Sequence, residues 1–161
     1  MTAPADFAAS GLEDVWRLQA ELNARAGTDT MALGRRLRAA EQAADEPGLA
    51  ELRLAVGRWL KNYLDALAAE CHELQDTLRW KHWYREAKEG RQHELHDIQN
   101  ARVEVIDMLF FWVSLCQLLG LEVPDVLRLY ARKLEINHRR QDEQRTQAEH
   151  ESHEDETRQV V

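Results

Sequence analysis

The sequence has few of the residues that interrupt helices or form the disulfides of secreted proteins. Its 161 residues include three prolines, seven glycines and two cysteines. Because Ala, Leu, Glu, Arg and Gln dominate the remainder, the composition predicts an all-α protein with little or no sheet. The two cysteines, Cys71 and Cys116, lie inside apolar helical patterns rather than in loops, and the N-terminus lacks a signal-peptide pattern. Both features predict a reducing, cytoplasmic location.

Positive charge and long hydrophobic runs are also scarce. The formal net charge is -8 at pH 7, so the chain lacks the basic excess that would displace counterions from nucleic acid or an anionic membrane. Its longest apolar run, Met108 to Leu121, is shorter than the roughly 20 residues that cross a bilayer. We therefore expect no nucleic acid and no membrane as partners. A small phosphorylated ligand stays possible, because a divalent cation can bridge it to carboxylates.

The spacing of apolar residues predicts a bundle of about five helices. They are expected at about residues 10–27, 30–45, 49–78, 94–119 and 123–141. Residues 79–90 are expected to form a loop or a short helix, and Glu46-Pro47-Gly48 is expected to end the second helix. From Val103 the fourth helix is apolar on nearly all sides, which is typical of a helix buried at the centre of a bundle. We expect one domain over residues 1–142, followed by a frayed or disordered tail over residues 143–161.

Four carboxylates lie where core-facing residues are expected. Glu70 continues the apolar stripe of the third helix and Glu73 follows one turn later, while Glu104 and Asp107 interrupt the apolar run of the fourth helix. Buried acids need a cation, because an unpaired buried charge is strongly unfavourable. Arginine or lysine partners would explain one such acid, but two pairs on separate helices favour a metal site. Oxygen ligands select a hard ion, so we expect Mg²⁺, with Mn²⁺ as a substitute.

Two other parts of the sequence carry residue types that can bind metals. A di-iron carboxylate bundle needs a Glu-x-x-His element on each of two helices, and only Glu135-x-x-His138 has that form. His93 and His96 have acidic neighbours, but they are expected to lie at an exposed, polar helix start. The four carboxylates therefore stay the preferred metal site.

Longer motifs accompany these acids. In chain order they are Trp16-Arg-Leu-Gln19-Ala-Glu-Leu-Asn23, Glu70-Cys-His-Glu73 with Trp80-Lys81-His82-Trp83, Glu104-Val-Ile-Asp107, and Lys133-Leu-Glu-Ile-Asn137-His-Arg-Arg140. They resemble the corresponding motifs of the dimeric, all-α dUTPases, which belong to the all-α NTP pyrophosphatase superfamily together with MazG-type enzymes. The resemblance covers most of residues 12–142. Ala69 before the first acid matches the dUTPase form, since MazG-type proteins usually have a second glutamate there.

The resemblance implies a homodimeric nucleotide pyrophosphatase that hydrolyses dUTP, with dUDP as a further candidate substrate, to dUMP. It implies that the four acids hold Mg²⁺ and that Glu70 or Glu73 is the general base. Contacts to the base and sugar are implied for Gln19, Asn23, Trp80 and His82. Contacts to the phosphates are implied for Lys81, Lys133, Asn137 and Arg140.

Two alternatives for the function stay open. A broader MazG-like (d)NTP pyrophosphatase would share the metal site, whereas a non-catalytic nucleotide-sensing module would keep the pocket without turnover. Glu143-Gln144 stands where the family has a Gly-Tyr pair that closes over the nucleotide, and this departure favours the second alternative. His82 stands at a position that is commonly aromatic in the family, which bears on the choice of base.

Overall fold

The structure, a computed structural model, describes residues 11–143. Within them the chain forms six helices and no strand, which confirms the all-α prediction. The helices are α1 (Leu12–Arg25), α2 (Thr30–Gln42), α3 (Glu46–Asp76), α4 (Arg85–Lys88), α5 (Ile98–Leu118) and α6 (Val123–Asp142). Helix α4 is the short helix allowed between residues 79 and 90.

The chain divides into two compact units, Met1–Gly120 and Leu121–Val161. Helices α1 to α5 belong to the first unit, and α6 belongs to the second. The single domain over residues 1–142 stays a prediction. Apart from Glu143, the tail predicted over residues 143–161 lies outside the described residues.

The turn between α2 and α3 comes earlier than the sequence predicts. Ala44 has a φ of 51°, and the carboxylate of Asp45 caps α3 by accepting a hydrogen bond from Gly48 N at 3.2 Å. Pro47 lies in the first turn of α3, where its missing N–H costs no helical hydrogen bond. The break expected at residues 46–48 is therefore wrong, because these residues begin the helix.

Helices α2, α3 and α5 enclose the apolar core of the first unit. The most extensive contact between helices in this unit joins α3 and α5, which places their acids side by side. The buried cluster consists of Leu37 and Ala40 from α2, Leu49, Leu52 and Val56 from α3, and Leu118 from α5. Its burial removes apolar surface from water and holds the three helices together.

Helix α5 is buried only in part, so the prediction of a helix buried on all sides is wrong. Most residues from 113 to 118 are buried, and α5 contacts α1, α2 and α3. Four apolar residues spaced seven apart remain between 40% and 55% exposed, and they are Ile98, Val105, Trp112 and Leu119. Residues at this spacing share one face of a helix. We call these four residues the α5 stripe.

Two glycines let α2 approach the end of α5 closely. A Cβ on Gly34 would lie 1.9 Å from Gln117 O and 2.7 Å from Gly120 N, so no larger residue fits without moving a helix. Gly120 has a φ of 69°, which favours glycine because it has no Cβ. The contact brings Thr30, at the start of α2, within reach of the buried side of α5.

The loop between α3 and α5 contains both histidines that were expected at a helix start. Asp97 caps α5 through a hydrogen bond from Asn100 N at 3.0 Å, so His93 and His96 lie in the loop before the helix. His93 has a φ of 66°, and a ring nitrogen of His96 lies 3.1 Å from Asp76 O. The helix therefore begins a full turn later than predicted.

No single helix among residues 11–143 is long and apolar enough to cross a membrane, although α5 and α6 taken together pass a test of length and composition.

Candidate active site

Three of the four predicted metal ligands come together between α3 and α5. Glu70, Glu104 and Asp107 each offer one carboxylate oxygen, and these three atoms lie within 4.8 Å of one another. Glu104 is only 5% exposed, whereas Glu70 and Asp107 are half-buried. Glu73 lies one turn beyond Glu70, is exposed, and stands outside this group. We call Glu70, Glu104 and Asp107 the acidic group.

The acidic group carries uncompensated negative charge. Burial raises the pKa of Glu70, and the nearby charges of Glu73, Asp107 and Glu104 raise that pKa further. Oε2 of Glu104 is buried and has no hydrogen-bond partner in the described chain. Within residues 11–120, no lysine, arginine or histidine forms an ion pair with any of the four acids. Residues 11–120 therefore do not supply the basic partners that would explain a buried acid.

Gln19 and Asn23 of α1 lie in a buried hydrogen-bond network. They are 6% and 3% exposed, and Gln19 Nε2 donates to Asn23 Oδ1 at 2.9 Å. Ser114 Oγ accepts from Asn23 Nδ2 at 2.9 Å and from Gln19 Nε2 at 3.1 Å. Ser114 follows Asp107 by seven residues on α5, so the network lies about 10 Å along the same helix face from the acidic group.

Thr30 and Gln117 complete this network, and both are almost wholly buried. The Thr30 hydroxyl donates to Gln117 Oε1 at 2.6 Å, and Gln117 Nε2 donates to Trp16 O at 2.8 Å. Sequence reasoning missed Thr30, Ser114 and Gln117. A signal was present for two of them, because Ser114 and Gln117 interrupt the end of an apolar run as Glu104 and Asp107 interrupt its beginning. Thr30 offered none, since threonine is common at helix starts.

The end of α3 leads into a pocket of about 350 Å³ that Trp80 and Lys81 help to line. Trp80 Nε1 donates to Asp76 Oδ1 at 3.0 Å, and Lys81 Nζ lies 5.5 Å from the centroid of the Trp80 ring. His82 is exposed and packs edge-on against Trp83 at 5.0 Å. The pocket thus combines an aromatic wall with a cation, and it begins within two turns of Glu70 on the same helix.

The basic groups of this loop differ in what they bind. Arg79 forms ion pairs with Glu94 at 2.8 Å and with Glu86 at 3.6 Å, so its charge is largely neutralised inside the loop. Lys81 forms no ion pair with any residue from 11 to 120. Of the two, Lys81 is the cation that an anionic ligand could use.

The remaining predicted site residues belong to the second unit. Lys133, Asn137 and Arg140 lie on α6 at spacings of four and three, which places them on one face of that helix. Lys133 is half-buried, Asn137 is exposed and Arg140 is buried.

A model of the dUTPase family matches residues 11–117. The chain belongs to the dUTPase family. No curated protein and no solved structure matched it in two further searches. As a dUTPase it is a hydrolase of nucleotide metabolism that converts dUTP to dUMP and pyrophosphate. The matched range includes the acidic group and the network around Gln19 and Asn23, but it ends before α6.

The dUTPase family generally uses a divalent metal, and the acidic group of this dUTPase fits one. Three oxygen donors lie close enough together to share an ion, and hard divalent cations prefer carboxylate oxygen. The buried Oε2 of Glu104, which lacks a hydrogen-bond partner among residues 11–143, is the kind of atom that such an ion would satisfy. Burial and the neighbouring carboxylates both raise the pKa of Glu70, and a cation would offset the part that those charges contribute.

Proposed function

We propose that the acidic group is the place where the enzyme hydrolyses dUTP, and that Glu70, Glu104 and Asp107 hold Mg²⁺ there. The observation that carries this proposal is the convergence of three carboxylate oxygens within 4.8 Å, at a position where residues 11–120 provide no basic partner. Mg²⁺ suits an oxygen-only site that must also bind phosphate, and Mn²⁺ would substitute for it. When bound, such ions lower the pKa of water and neutralise charge on the phosphates.

Glu73 is proposed as the general base. Its carboxylate is exposed and lies outside the acidic group, so it is free to accept a proton from the attacking water. The water oxygen then forms a bond to the α-phosphorus. At the same time the bond breaks between the α-phosphorus and the oxygen that bridges it to the β-phosphorus, which releases dUMP and pyrophosphate. Glu70 is the alternative base, but its oxygen is already part of the acidic group.

The proposed contacts to the two ends of the nucleotide follow from where the candidate residues lie relative to α3 and α5. Gln19 and Asn23 lie about 10 Å from the acidic group along α5, and we propose that they read the base and sugar. Trp80 and Lys81 lie beyond the end of α3, where an aromatic ring and a cation that forms no ion pair with residues 11–120 suit stacking and phosphate binding. His82 is exposed beside them. For Lys133, Asn137 and Arg140, the proposed phosphate contacts are supported by their shared face on α6.

We propose a homodimer that forms through the α5 stripe. Ile98, Val105, Trp112 and Leu119 are exposed apolar side chains on one side of α5, and exposed apolar surfaces of this kind mark sites that bind other proteins. A second copy of the same helix would cover it across a two-fold axis. Val105→Glu is expected to yield a monomer in light scattering, while the exposed and polar Glu51→Gln on α3 is the control. A Val105→Glu protein that remains dimeric would place the interface elsewhere.

A cytoplasmic location is proposed from the two cysteines. Cys71 and Cys116 are both free thiols, which is the usual state in a reducing compartment. Burial raises the pKa of Cys116 to about 11, so this thiol stays protonated and unreactive.

The proposed activity is tested by incubating the purified enzyme with Mg²⁺ and each of dUTP, dUDP, dCTP and dTTP, and measuring the phosphate products. We expect dUTP to be hydrolysed fastest and Glu104→Gln to remove turnover, with Glu51→Gln as the control. Equal rates for dUTP, dCTP and dTTP would instead indicate a broader MazG-like pyrophosphatase. Binding of a non-hydrolysable dUTP analogue without any turnover would indicate a nucleotide-sensing module.

A further inference from the structure

The hydrogen bonds around Gln19 and Asn23 have directions that two backbone carbonyls fix. A carbonyl oxygen only accepts, so the atom of Gln117 that lies 2.8 Å from Trp16 O must be its nitrogen. The oxygen of Gln117 is therefore turned toward Thr30, whose hydroxyl donates to it at 2.6 Å. In the same way, the hydroxyl of Ser114 donates to Phe110 O at 2.9 Å.

Each hydroxyl has one proton. Thr30 donates its proton to Gln117 Oε1. The Ser114 hydroxyl has two acceptors in reach, Phe110 O at 2.9 Å and Asn23 Oδ1 at 3.3 Å, and we assign its proton to the nearer one. The oxygens of Thr30 and Ser114 can then only accept, and both accept from Asn23 Nδ2, at 3.1 Å and 2.9 Å. Ser114 Oγ also accepts from Gln19 Nε2 at 3.1 Å. The nitrogen of each carboxamide is thereby identified by its neighbours, and Asn23 Oδ1 is left to accept from Gln19 Nε2 at 2.9 Å.

This arrangement uses every N–H of both carboxamides. Gln19 Nε2 donates to Asn23 and Ser114, and Asn23 Nδ2 donates to Thr30 and Ser114. Gln19 Oε1 has no hydrogen-bond partner among residues 11–143. The unused capacity of the pair is therefore that of an acceptor.

We propose that Thr30, Ser114 and Gln117 are positioning residues that select the base by holding Gln19 with its carbonyl oxygen toward the ligand. Uracil carries a proton on N3 and can donate to that oxygen, whereas N3 of cytosine carries a lone pair that repels it. Thymine shares the N3 proton of uracil, so the network rejects cytosine and does not separate uracil from thymine. The inference rests on the proposed reading of the base by Gln19 and Asn23.

Burial makes these three residues suitable for positioning. Thr30 and Ser114 are 0% exposed and Gln117 is 1% exposed, so no water can replace a lost partner. Turning the Gln19 carboxamide by half a rotation would aim its N–H groups at the base and its oxygen at Ser114 Oγ, which has no second proton to donate. The network therefore holds one orientation, because the reverse leaves buried groups without partners.

The test compares Ser114→Ala with the wild-type enzyme, using kcat/KM for dUTP, dCTP and dTTP. Ser114→Ala removes the one oxygen that accepts from both carboxamides, and alanine suits a buried helical position. We expect the ratio of dUTP to dCTP to fall about tenfold, the effect of about 1.4 kcal/mol. The ratio of dUTP to dTTP should stay unchanged, because both bases donate from N3. Thermal unfolding confirms that the variant is folded.

A second pair of variants tests the same role should Ser114→Ala fail to fold. Thr30→Val removes the hydroxyl with almost no change of shape, and Thr30→Ser keeps the hydroxyl as the matched rescue. The ratio of dUTP to dCTP should fall in Thr30→Val and recover in Thr30→Ser. A parallel fall of both ratios, or no change in either folded variant, would overturn the positioning role while the wild-type preference for dUTP stands. A wild-type enzyme without that preference would instead overturn the proposed reading of the base.

Discussion

Replacing Glu104 by glutamine is expected to stabilise the metal-free protein and to abolish its stabilisation by Mg²⁺. Glu104 is 5% exposed, and its carboxylate lies within 4.8 Å of those of Glu70 and Asp107. Without a cation these charges repel one another. Glutamine has nearly the same shape, carries no charge, and can donate a hydrogen bond to either neighbour.

The size of the effect follows from the distances. Two unit charges 4.8 Å apart repel by about 0.9 kcal/mol in water and by about 3.5 kcal/mol at an effective dielectric constant of 20. Glu104 has two such neighbours, and partial protonation of Glu70, whose pKa is raised, reduces the repulsion. We expect a gain of about 1–2 kcal/mol in the free energy of unfolding, which raises Tm by about 2–6 °C.

Thermal unfolding in EDTA and in Mg²⁺ measures both parts of this prediction. In the wild-type protein, Mg²⁺ at about 100 times its Kd should add about 2.7 kcal/mol. Glu104→Gln should start from a higher Tm in EDTA and gain little from the metal. Glu51→Gln, an exposed substitution on α3, should behave like the wild type in both conditions. A Glu104→Gln protein that is less stable than the wild type in EDTA, and still gains the full stabilisation from Mg²⁺, would refute the reasoning.

Three further predictions follow from individual residues. Because the pKa of Glu70 is raised, the metal-free folded protein is less stable when this carboxyl is ionised, and it gains stability as pH falls through that pKa. The Tm of the wild-type protein in EDTA, measured relative to that of Glu70→Gln, should therefore rise on acidification. A difference in Tm that does not change with pH would contradict this. Glu73→Gln should lower kcat at least about 100-fold while keeping the Mg²⁺-induced shift in Tm, and loss of that shift would make Glu73 a ligand instead. Gly34→Ala should cost about 1–3 kcal/mol of unfolding free energy in a denaturant titration, whereas Gly57→Ala, whose Cβ would meet nothing within 4 Å, should not destabilise.

The helices were predictable because their signals are local. Apolar spacing located the five long helices to within a few residues, and the largest errors came where one residue permits two structures. Pro47 is an example, since proline either ends a helix or occupies its first turn. The burial of α5 was mispredicted for a related reason. An apolar face at residues such as Val105 and Trp112 suits a bundle centre and an exposed interface equally.

The sequence predicted the carboxylates that would bind a metal, but it did not predict the residues that hold Gln19 and Asn23 in place. Glu70, Glu104 and Asp107 stood out because acids are improbable on core-facing positions, and the structure brings them together. Thr30 and Ser114 did not stand out. Their roles depend on which atoms surround them, and no local spacing records that.

Taken by itself, the sequence determined the helical class, the family and the residue types of the candidate metal site, because each depends on composition or on motifs within a few helical turns. Only the tertiary structure brought oxygens of Glu70, Glu104 and Asp107 within 4.8 Å of one another and, through the close approach of α2 to α5 at Gly34, placed Thr30 against Gln117. These relations join residues that lie far apart in the chain. They depend on how closely the backbones pack and on the direction of each hydrogen bond, and neither feature can be read from the local sequence.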